Sequence, residues 1–326
     1  MRAEILTLLR ESDHYISGQE LCNQFGVSRT AVWKAMNQLK EEGYEIEAIK
    51  NKGYRLMNQP DVLSKKELES RIKTTWAGSE IVFFEQTGST NTDVKKLLEE
   101  GKAHGILVVA NAQSNGKGRR GRDWVSPNSG TISMSIGLRP DMDPAKASML
   151  TLVMALSVCK AIQEYTDLPV SIKWPNDIVI SNKKVCGILT EMNMEKDYIH
   201  WVVIGVGINV NLMDIPEELK ETATSLKLAC GKEIARSGLI EKIMLYFEND
   251  YALFMECENL SMLQEVYNDH LINMEKQVRV LDAKAPFTGI AKGINQNGEL
   301  LVQKEQGEIV AVNAGEVSVR GLYGYV

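Results

Sequence analysis

The chain has 326 residues, 44% apolar and 25% charged, with a formal net charge of −6. That length can bury a sizeable core and points to two or three domains, while the mild acidity excludes a protein whose whole surface coats nucleic acid. Five cysteines (Cys22, Cys159, Cys186, Cys230, Cys257) are scattered without a C-x-x-C pair, which argues against a zinc site or a disulfide framework and fits a reducing cytoplasm.

The opening Met1-Arg2-Ala3-Glu4-Ile5-Leu6 is too charged for a signal peptide. Ile5, Leu6, Leu8 and Leu9 give a first helix its apolar stripe. Ser17 caps a second helix over 18–25 that Gly26 ends. Ser28 caps a third, with Val32, Met36 and Leu39 at helical spacing on the inner side. Its other side carries Arg29, Thr30, Trp33, Lys34 and Asn37, rich in hydrogen-bond donors. An alternating strand over 44–49, a basic turn Lys50-Asn51-Lys52-Gly53 and a returning Tyr54-Arg55-Leu56 complete a winged helix-turn-helix.

In that geometry the helix-turn-helix from Gly18 to Asn37 offers Ser28, Arg29, Thr30, Trp33, Lys34 and Asn37 to the major groove. Lys50, Lys52 and Arg55 of the wing meet the backbone or minor groove. Small three-helix units also serve as interaction modules, and residues 28–55 are only weakly basic, six Lys/Arg against four Asp/Glu. The acids (Glu41, Glu42, Glu45, Glu47) leave the helix start and wing tip free, which favours double-stranded DNA. One such module makes few phosphate contacts, so a dimer on paired half-sites is expected.

Residues 61–67 form a polar linker or the beginning of a helix. Beyond them, strand-like runs at 81–84, 106–110, 131–138, 170–173, 178–180, 185–191 and 201–210 alternate with helical ones, the longest near 144–165 and 234–256. This is the pattern of a mixed sheet covered by helices. The most apolar helical stretch, 149–159, is expected to be a buried helix well short of a membrane span.

Within this segment Gly116-Lys117-Gly118-Arg119-Arg120-Gly121-Arg122 places four cations among three glycines. Mobile backbone and clustered cations describe a loop built to close over phosphate or carboxylate oxygens, although a solvated basic loop or a nonspecific nucleic-acid patch has the same composition. The spacing matches G-x-G-x-x-G, but residues 123–130 read as a turn rather than as the helix a dinucleotide fold requires. The phosphate-loop pattern fails as well, because no Ser or Thr follows Lys117.

Four more motifs accompany the loop, and a glycine-rich stretch lies beyond them. Gly88-Ser89-Thr90-Asn91 supplies hydroxyls and an amide that cap the next helix, over 92–100, or serve a small polar ring. Gln113 stands at the end of the strand entering the loop. Lys173-Trp174-Pro175-Asn176-Asp177 ends a strand in a turn that projects Asn176 and Asp177, or is simply an Asn-Asp surface turn. Lys183-Lys184-Val185-Cys186-Gly187-Ile188-Leu189 carries a lysine into a buried strand, and Gly205-Val206-Gly207-Ile208-Asn209 is a glycine-loosened strand delivering Asn209.

Beyond about 273, short strands at 278–280, 289–293, 300–302, 309–312 and 317–319, with a hairpin signal at Asn297-Gly298, predict a small β-barrel.

In this order the motifs resemble the biotin–protein ligases, specifically the bifunctional type that also represses the biotin operon. Ser28-Arg29-Thr30-Ala31-Val32-Trp33-Lys34 and Lys52-Gly53-Tyr54-Arg55-Leu56 look like the repressor subclass, and Gly315-Glu316-Val317-Ser318-Val319-Arg320 is similar to the family's C-domain. The resemblance implies an α+β multidomain chain. Its parts would be a winged helix-turn-helix over 1–62, a mixed-sheet α/β ligase domain of the class II synthetase kind over 63–273, and an SH3-like barrel over 274–326.

The implied reaction joins biotin's carboxylate to the α-phosphate of ATP, giving biotinyl-5'-AMP and pyrophosphate, then passes the biotinyl group to a lysine of a biotin carboxyl carrier domain. Cations must offset the meeting of anion and polyanion. Arg119 and Arg122 would pair with phosphate oxygens, Lys184 would bridge carboxyl and phosphoryl oxygens, and Mg²⁺ would share the charge of the pyrophosphate. Lys184 is chosen over Lys183 for its spacing to Gly187. Biotin would lie against Ser89, Thr90, Asn91 and Gln113, with Lys117, Gly118, Arg119 and Lys184 lining the same pocket.

Trp124 would stack on adenine, Asn209 would read its edge, and Asn176 and Asp177 would sit near the acyl centre, Asp177 positioning or deprotonating the acceptor lysine. The adenylate would act as corepressor, favouring a homodimer on an operator, in a cytoplasmic protein with no membrane partner. The alternatives are a biotin-responsive transcriptional sensor without transferase activity and a lipoate-type acyl ligase.

Overall fold

The computed structural model describes residues 1–12, 14–58, 61–126, 130–281, 286–314 and 318–321. By compactness the chain divides into one unit of Met1–Lys73 with Glu233–Glu241 and another of Thr74–Lys232 with Lys242–Val326.

The first unit holds α1 (Arg2–Glu11), α2 (Gly18–Phe25), α3 (Arg29–Glu41), the antiparallel wing β1 (Glu45–Ile49) and β2 (Gly53–Asn58), and α4 (Lys65–Arg71). Its helix ends follow local chemistry. Ser17 Oγ accepts from the Glu20 amide at 3.0 Å, Gly26 ends α2 at φ 63°, and Ser28 Oγ accepts from the Ala31 amide at 3.2 Å. Ile5, Leu6, Leu9, Leu21, Val32 and Met36 form the core, while Leu8 is only partly buried against it. The wing is tied to the start of α2 by reciprocal backbone bonds between Ile16 and Tyr54 at 2.9 Å. Of the two readings of 61–67, the helical one holds, since Ser64 caps α4.

Beneath α4 the Glu67 carboxylate is almost fully buried and accepts from Arg71 Nε at 2.6 Å, Ser237 Oγ at 3.2 Å, Arg10 and Tyr44. Burial pushes its carboxyl upward, but the bonds and charges of Arg10, Tyr44 and Arg71 outweigh that and hold it below the ordinary carboxylate value.

In the second unit the elements are β3 (Ile81–Thr87), α5 (Thr90–Glu99), β4 (Ile106–Lys117), β5 (Asp123–Ser126), β6 (Thr131–Leu138), α6 (Leu150–Thr166), β7 (Val170–Lys173), β8 (Asp177–Ile180), β9 (Lys183–Met194), β10 (Ile199–Asn209), α7 (Leu226–Cys230), α8 (Arg236–Cys257, from Lys242 onward) and α9 (Gln264–Asp269). The strands build an eight-stranded mixed sheet, order β3-β4-β6-β10-β9-β8-β7, with β5 paired to β4; only β3 and β4 run parallel among these pairs.

Two expectations change here. Residues 123–126 form a strand rather than a turn, because β4 continues to Lys117 and offers a free edge that Asp123–Ser126 folds back onto. The predicted turn residues 127–129 lie outside the described residues. The 144–166 helical run, 23 residues, is long and apolar enough to cross a membrane by length and composition alone. Its packing is that of a core helix: it lies on β7 and β9, and Asp250 of α8 accepts from Ser157 Oγ at 2.9 Å and Lys160 Nζ at 2.7 Å.

The C-terminal strands β11 (Gln277–Leu281), β12 (Phe287–Ile294), β13 (Leu300–Gln303), β14 (Ile309–Val312) and β15 (Ser318–Gly321) pair antiparallel in the order β14-β13-β12-β11-β15. This is the small SH3-like domain. Its β12–β13 turn closes with Gly298 at φ 74° donating to the Asn295 carbonyl at 2.9 Å. Residues 315–317 of the motif there lie outside the described residues.

Candidate functional site

One cleft gathers most of the residues singled out for the ligase reaction, at the ends of β4, β9 and β10 and the start of α5. The basic segment is a β-hairpin: β4 turns through Arg119–Gly121 and returns as β5, with Gly116 opposite Trp124 and Lys117 opposite Asp123. The Gly118 amide donates to the Arg122 carbonyl at 2.6 Å across the tip. Lys117, Gly118 and Arg119 thereby line the cleft, whereas Arg122 is exposed and is not among the lining residues.

Trp124 is laid over the two glycine strands. A Cβ on Gly207 would fall 2.5 Å from its indole ring, and one on Gly187 would fall 3.1 Å from it. Only bare backbone lets the ring approach so closely, which explains the glycine pattern of β9 and β10. The indole Nε1 is buried without a hydrogen-bond partner among the described residues. That unused donor and the flat ring suit a heteroaromatic ligand.

Lys184 reaches the same place, its Nζ 5.4 Å from the Trp124 ring centroid and 2.5 Å from Asp177 Oδ1. A bulge decides this. Asp177 pairs with Gly187 and Ile178 with Cys186, but Val179 then pairs with Lys184, leaving Val185 out of register. Strict alternation from Gly187 would put Lys183 on the cleft face; the extra residue exchanges the two lysines. Lys183 Nζ instead donates to the Lys220 carbonyl at 2.6 Å.

Arg119 and Asn176 extend the polar chain. Arg119 Nη1 donates to Asn176 Oδ1 at 3.0 Å, and Asn176 Nδ2 donates to the Ile188 carbonyl at 3.0 Å and to Asp177 Oδ1 at 3.3 Å. Arg119 Nη2 also donates to the Ala314 carbonyl at 2.5 Å. Burial pushes the Arg119 guanidinium below its ordinary value, with Asp177 pulling it back up and Arg120 adding to the fall. Asp177 is in β8 rather than projected from a turn, and it enters the site through Lys184.

Also lining the cleft, Ser89 stands at the N-cap of α5, which begins at Thr90 rather than at 92. Its hydroxyl makes no capping bond, so capping does not account for it. Gln113 Oε1 accepts from the Thr90 amide at 2.9 Å. Asn91 donates to Glu191 at 2.8 Å and accepts from Ser135 Oγ at 2.6 Å, so both ends of its amide are engaged within the protein. Asn209 lies at the end of β10, donating to the Thr224 carbonyl at 3.1 Å, and is not among the cleft-lining residues.

Two charged residues of the cleft, Lys95 and Glu191, carried no motif. Their signal was periodicity. Lys95 follows Asn91 by one helical turn on α5, and Glu191 continues the alternation of Gly187 and Leu189 along β9.

In the first unit, Ser28 is spent on its cap, Arg29 Nη2 donates to Gln19 Oε1 at 2.8 Å, and Thr30, Trp33 and Lys34 are exposed, Trp33 by 58%. Asn37 is half-buried, Lys50 and Lys52 are exposed, and Lys52 and Arg55 each stand 5.9 Å from the Tyr15 ring centroid.

Residues 83–209 match the Biotin/lipoate A/B protein ligase family, residues 2–55 an HTH domain and residues 274–320 the Biotin protein ligase C terminal domain. The chain is 38% identical over 310 residues to the Bifunctional ligase/repressor BirA of Bacillus subtilis (strain 168), covering 94% of this chain and 95% of that one. The chain belongs to the bifunctional biotin ligase/repressor family. A second member, BirA of Escherichia coli (strain K12), is 27% identical over 97% of this chain and 96% of its own. Among solved structures, the biotin protein ligase from Aquifex aeolicus in complex with biotin and ATP superposes with a TM-score of 0.66 at 31% identity, over 74% of this chain and 99% of that one.

Proposed function

We propose that this chain activates biotin with ATP and transfers it to a lysine of a biotin carboxyl carrier domain, and that with biotinyl-5'-AMP as corepressor it represses transcription from an operator. The observation that carries the reading is the meeting of Arg119, Lys184 and Lys117 with Ser89, Thr90 and Gln113 in one cleft, in a chain whose α3 turns a cationic face outward.

In the first step biotin's carboxylate oxygen bonds to the α-phosphorus and pyrophosphate leaves. Lys184 and Arg119 stabilise the charge gathered between the two anions, Lys117 and Arg122 supply further cation, and Trp124 with Asn176 and Asn209 receives the nucleotide. Mg²⁺ would arrive with ATP and share the charge of the departing pyrophosphate. In the second step the acceptor ε-amine bonds to the acyl carbon and AMP leaves. An amine near its reference pKa is protonated at neutral pH, and Asp177 takes its proton as Lys184 is drawn to phosphate.

Biotin's cyclic urea offers one acceptor and two N–H donors, which fits the hydroxyl–amide floor at Ser89, Thr90, Asn91 and Gln113 better than a lipoyl dithiolane does. For the repressor role Arg29, Thr30, Trp33, Lys34 and Asn37 face the major groove and Lys50, Lys52 and Arg55 the backbone. Adenylate-dependent homodimerisation supplies the second half-site. The working domain boundaries are 1–62, 63–273 and 274–326, and the setting is cytoplasmic.

The test is incubation with ATP, labelled biotin or lipoate, and a carrier domain, alongside an operator gel shift. Biotin labelling that requires ATP and the acceptor lysine, with a shift strengthened by biotin plus ATP, is expected. A shift without labelling selects a pure sensor, and labelling by lipoate selects an acyl ligase of the other specificity. A shift indifferent to biotin and ATP removes the corepressor.

A further inference from the structure

Glu191 lines the cleft and takes Lys95 Nζ at 2.6 Å on one oxygen and Asn91 Nδ2 at 2.8 Å on the other. The Leu189 carbonyl lies 3.5 Å from the same Asn91 nitrogen. A carboxylate and a carbonyl can only accept, so Asn91 is held in one amide orientation. Asn91 Oδ1 must then accept, and the group facing it is the fully buried Ser135 Oγ at 2.6 Å. Ser135 has a single proton and spends it there. Its other neighbour, Thr90 Oγ1 at 2.7 Å, is placed to accept from Ser135, but with that proton spent on Asn91 the Thr90 hydroxyl must itself supply the proton of this contact or turn to Gln113.

The competing acceptor for the Thr90 hydroxyl is Gln113 Oε1, at a longer 3.3 Å and already engaged by the Thr90 amide at 2.9 Å. On either path the Thr90 proton is consumed inside the protein, and what its oxygen offers the cleft is a lone pair. Away from bulk water such chains are coupled, so the polarity chosen at one end is felt at the other. Burial pushes the Glu191 carboxyl up, but the bonds from Lys95 and Asn91 hold it below the ordinary range, which keeps it an acceptor at neutral pH.

We propose that Glu191 sets the direction of the hydrogen bonds in the chain Glu191–Asn91–Ser135–Thr90, and so makes Thr90 an acceptor for a ring N–H of the substrate. Glu191 is a positioning residue: it acts through Asn91 and Ser135 and does not meet the reacting atoms. The inference rests on the biotin reading, because a cyclic urea supplies the N–H that such an acceptor selects. A neutral amide at 191 permits the reverse order, in which Asn91 turns over, Ser135 donates to Thr90, and the Thr90 proton points at the ring N–H.

The experiment measures binding by calorimetry, on the full chain, of biotin and of the two cyclic carbamate analogues in which one ring N–H is replaced by oxygen. Wild type is expected to prefer biotin over at least one analogue by about 100-fold, the scale of a lost bond plus an unmatched acceptor. Glu191→Gln shrinks that preference to about tenfold or less, chiefly by weakening biotin. Ser135→Ala breaks the chain in the middle without touching the Lys95 ion pair and shrinks the preference likewise, and the double variant is no worse than either single one. KM for biotin rises about tenfold in Glu191→Gln while kcat falls less than about threefold. Equal weakening of biotin and analogues, with the preference intact, overturns the proposal and leaves the biotin reading standing. A wild-type chain that binds none of the three compounds overturns both.

Discussion

Lys184 Nζ and Asp177 Oδ1 are 2.5 Å apart, joined across β8 and β9 with the Trp124 ring 5.4 Å from the ammonium. The pair balances the charge of a lysine held in a partly buried cleft, and an incoming carboxylate and phosphate compete with Asp177 for it. In the proposed reaction, the cation that would stabilise the first step and the carboxylate that would serve the second are thus held in one contact.

From this pairing, Lys184→Ala is expected to lower adenylate formation by roughly 100-fold or more, the scale for removing one preorganised stabiliser of developing charge. Lys183→Ala should stay within about twofold, since that ammonium is held at the Lys220 carbonyl. Pyrophosphate release in single-turnover assays reads both, and equal losses would reject the assignment.

Gly205 and Gly207 are neighbours on β10 with separable consequences. A Cβ at 205 would sit 2.1 Å from Asn91 Oδ1, and one at 207 would sit 2.5 Å from the Trp124 ring. Gly205→Ala is expected to weaken biotin about tenfold or more with a smaller effect on ATP, and Gly207→Ala to do the reverse, because each methyl displaces a different wall. Separate titrations of the two ligands measure it, and parallel losses in both variants would defeat the division of the cleft.

Lys52 lies at the exposed wing tip and makes no base-directed contact in the proposed geometry. Lys52→Ala should weaken operator and nonspecific DNA alike and reduce the slope of log K against log salt by about 1 per protomer. Arg29→Ala, at the start of α3, should cost about 1–3 kcal/mol on the operator and relax sequence preference. Gel shifts over a salt series distinguish the two, and a sequence-selective loss in the wing variant would contradict the docking.

Glu67 provides an acid-sensitive point of stability in the first unit. Its folded value lies below the ordinary 4.5, so its contribution is full above that pH and is lost as pH falls through the folded value. Glu67→Ala leaves Arg10 and Arg71 buried beside an empty position and is expected to destabilise the unit by about 3–5 kcal/mol. Urea denaturation between neutral pH and pH 4 tests both statements; a variant as stable as wild type would show that the pair contributes nothing.

Much of this is legible in the sequence. The caps at Ser17 and Ser28, the strand over 131–138 and the wing stand where local chemistry put them, because a cap or an alternating run depends on residues a few positions away. Asp123–Ser126 was misread because nothing local marks a strand that exists only by pairing with the extension of β4. Lys95, Ser135 and Glu191 carry no motif and gain meaning only where α5, β6 and β9 converge.

What the sequence determined by itself was the family, the order of the elements and the set of chemical groups brought to the cleft, since those reside in short motifs and in hydrophobic period. Only the tertiary structure decided which groups face each other. A single out-of-register residue, Val185, put Lys184 rather than Lys183 beside Asp177. Contacts spanning 44 and 100 residues of chain, from Asn91 to Ser135 and to Glu191, fixed the amide of Asn91. Both outcomes follow from strand register, a long-range property that reverses the facing of every side chain when it slips by one residue.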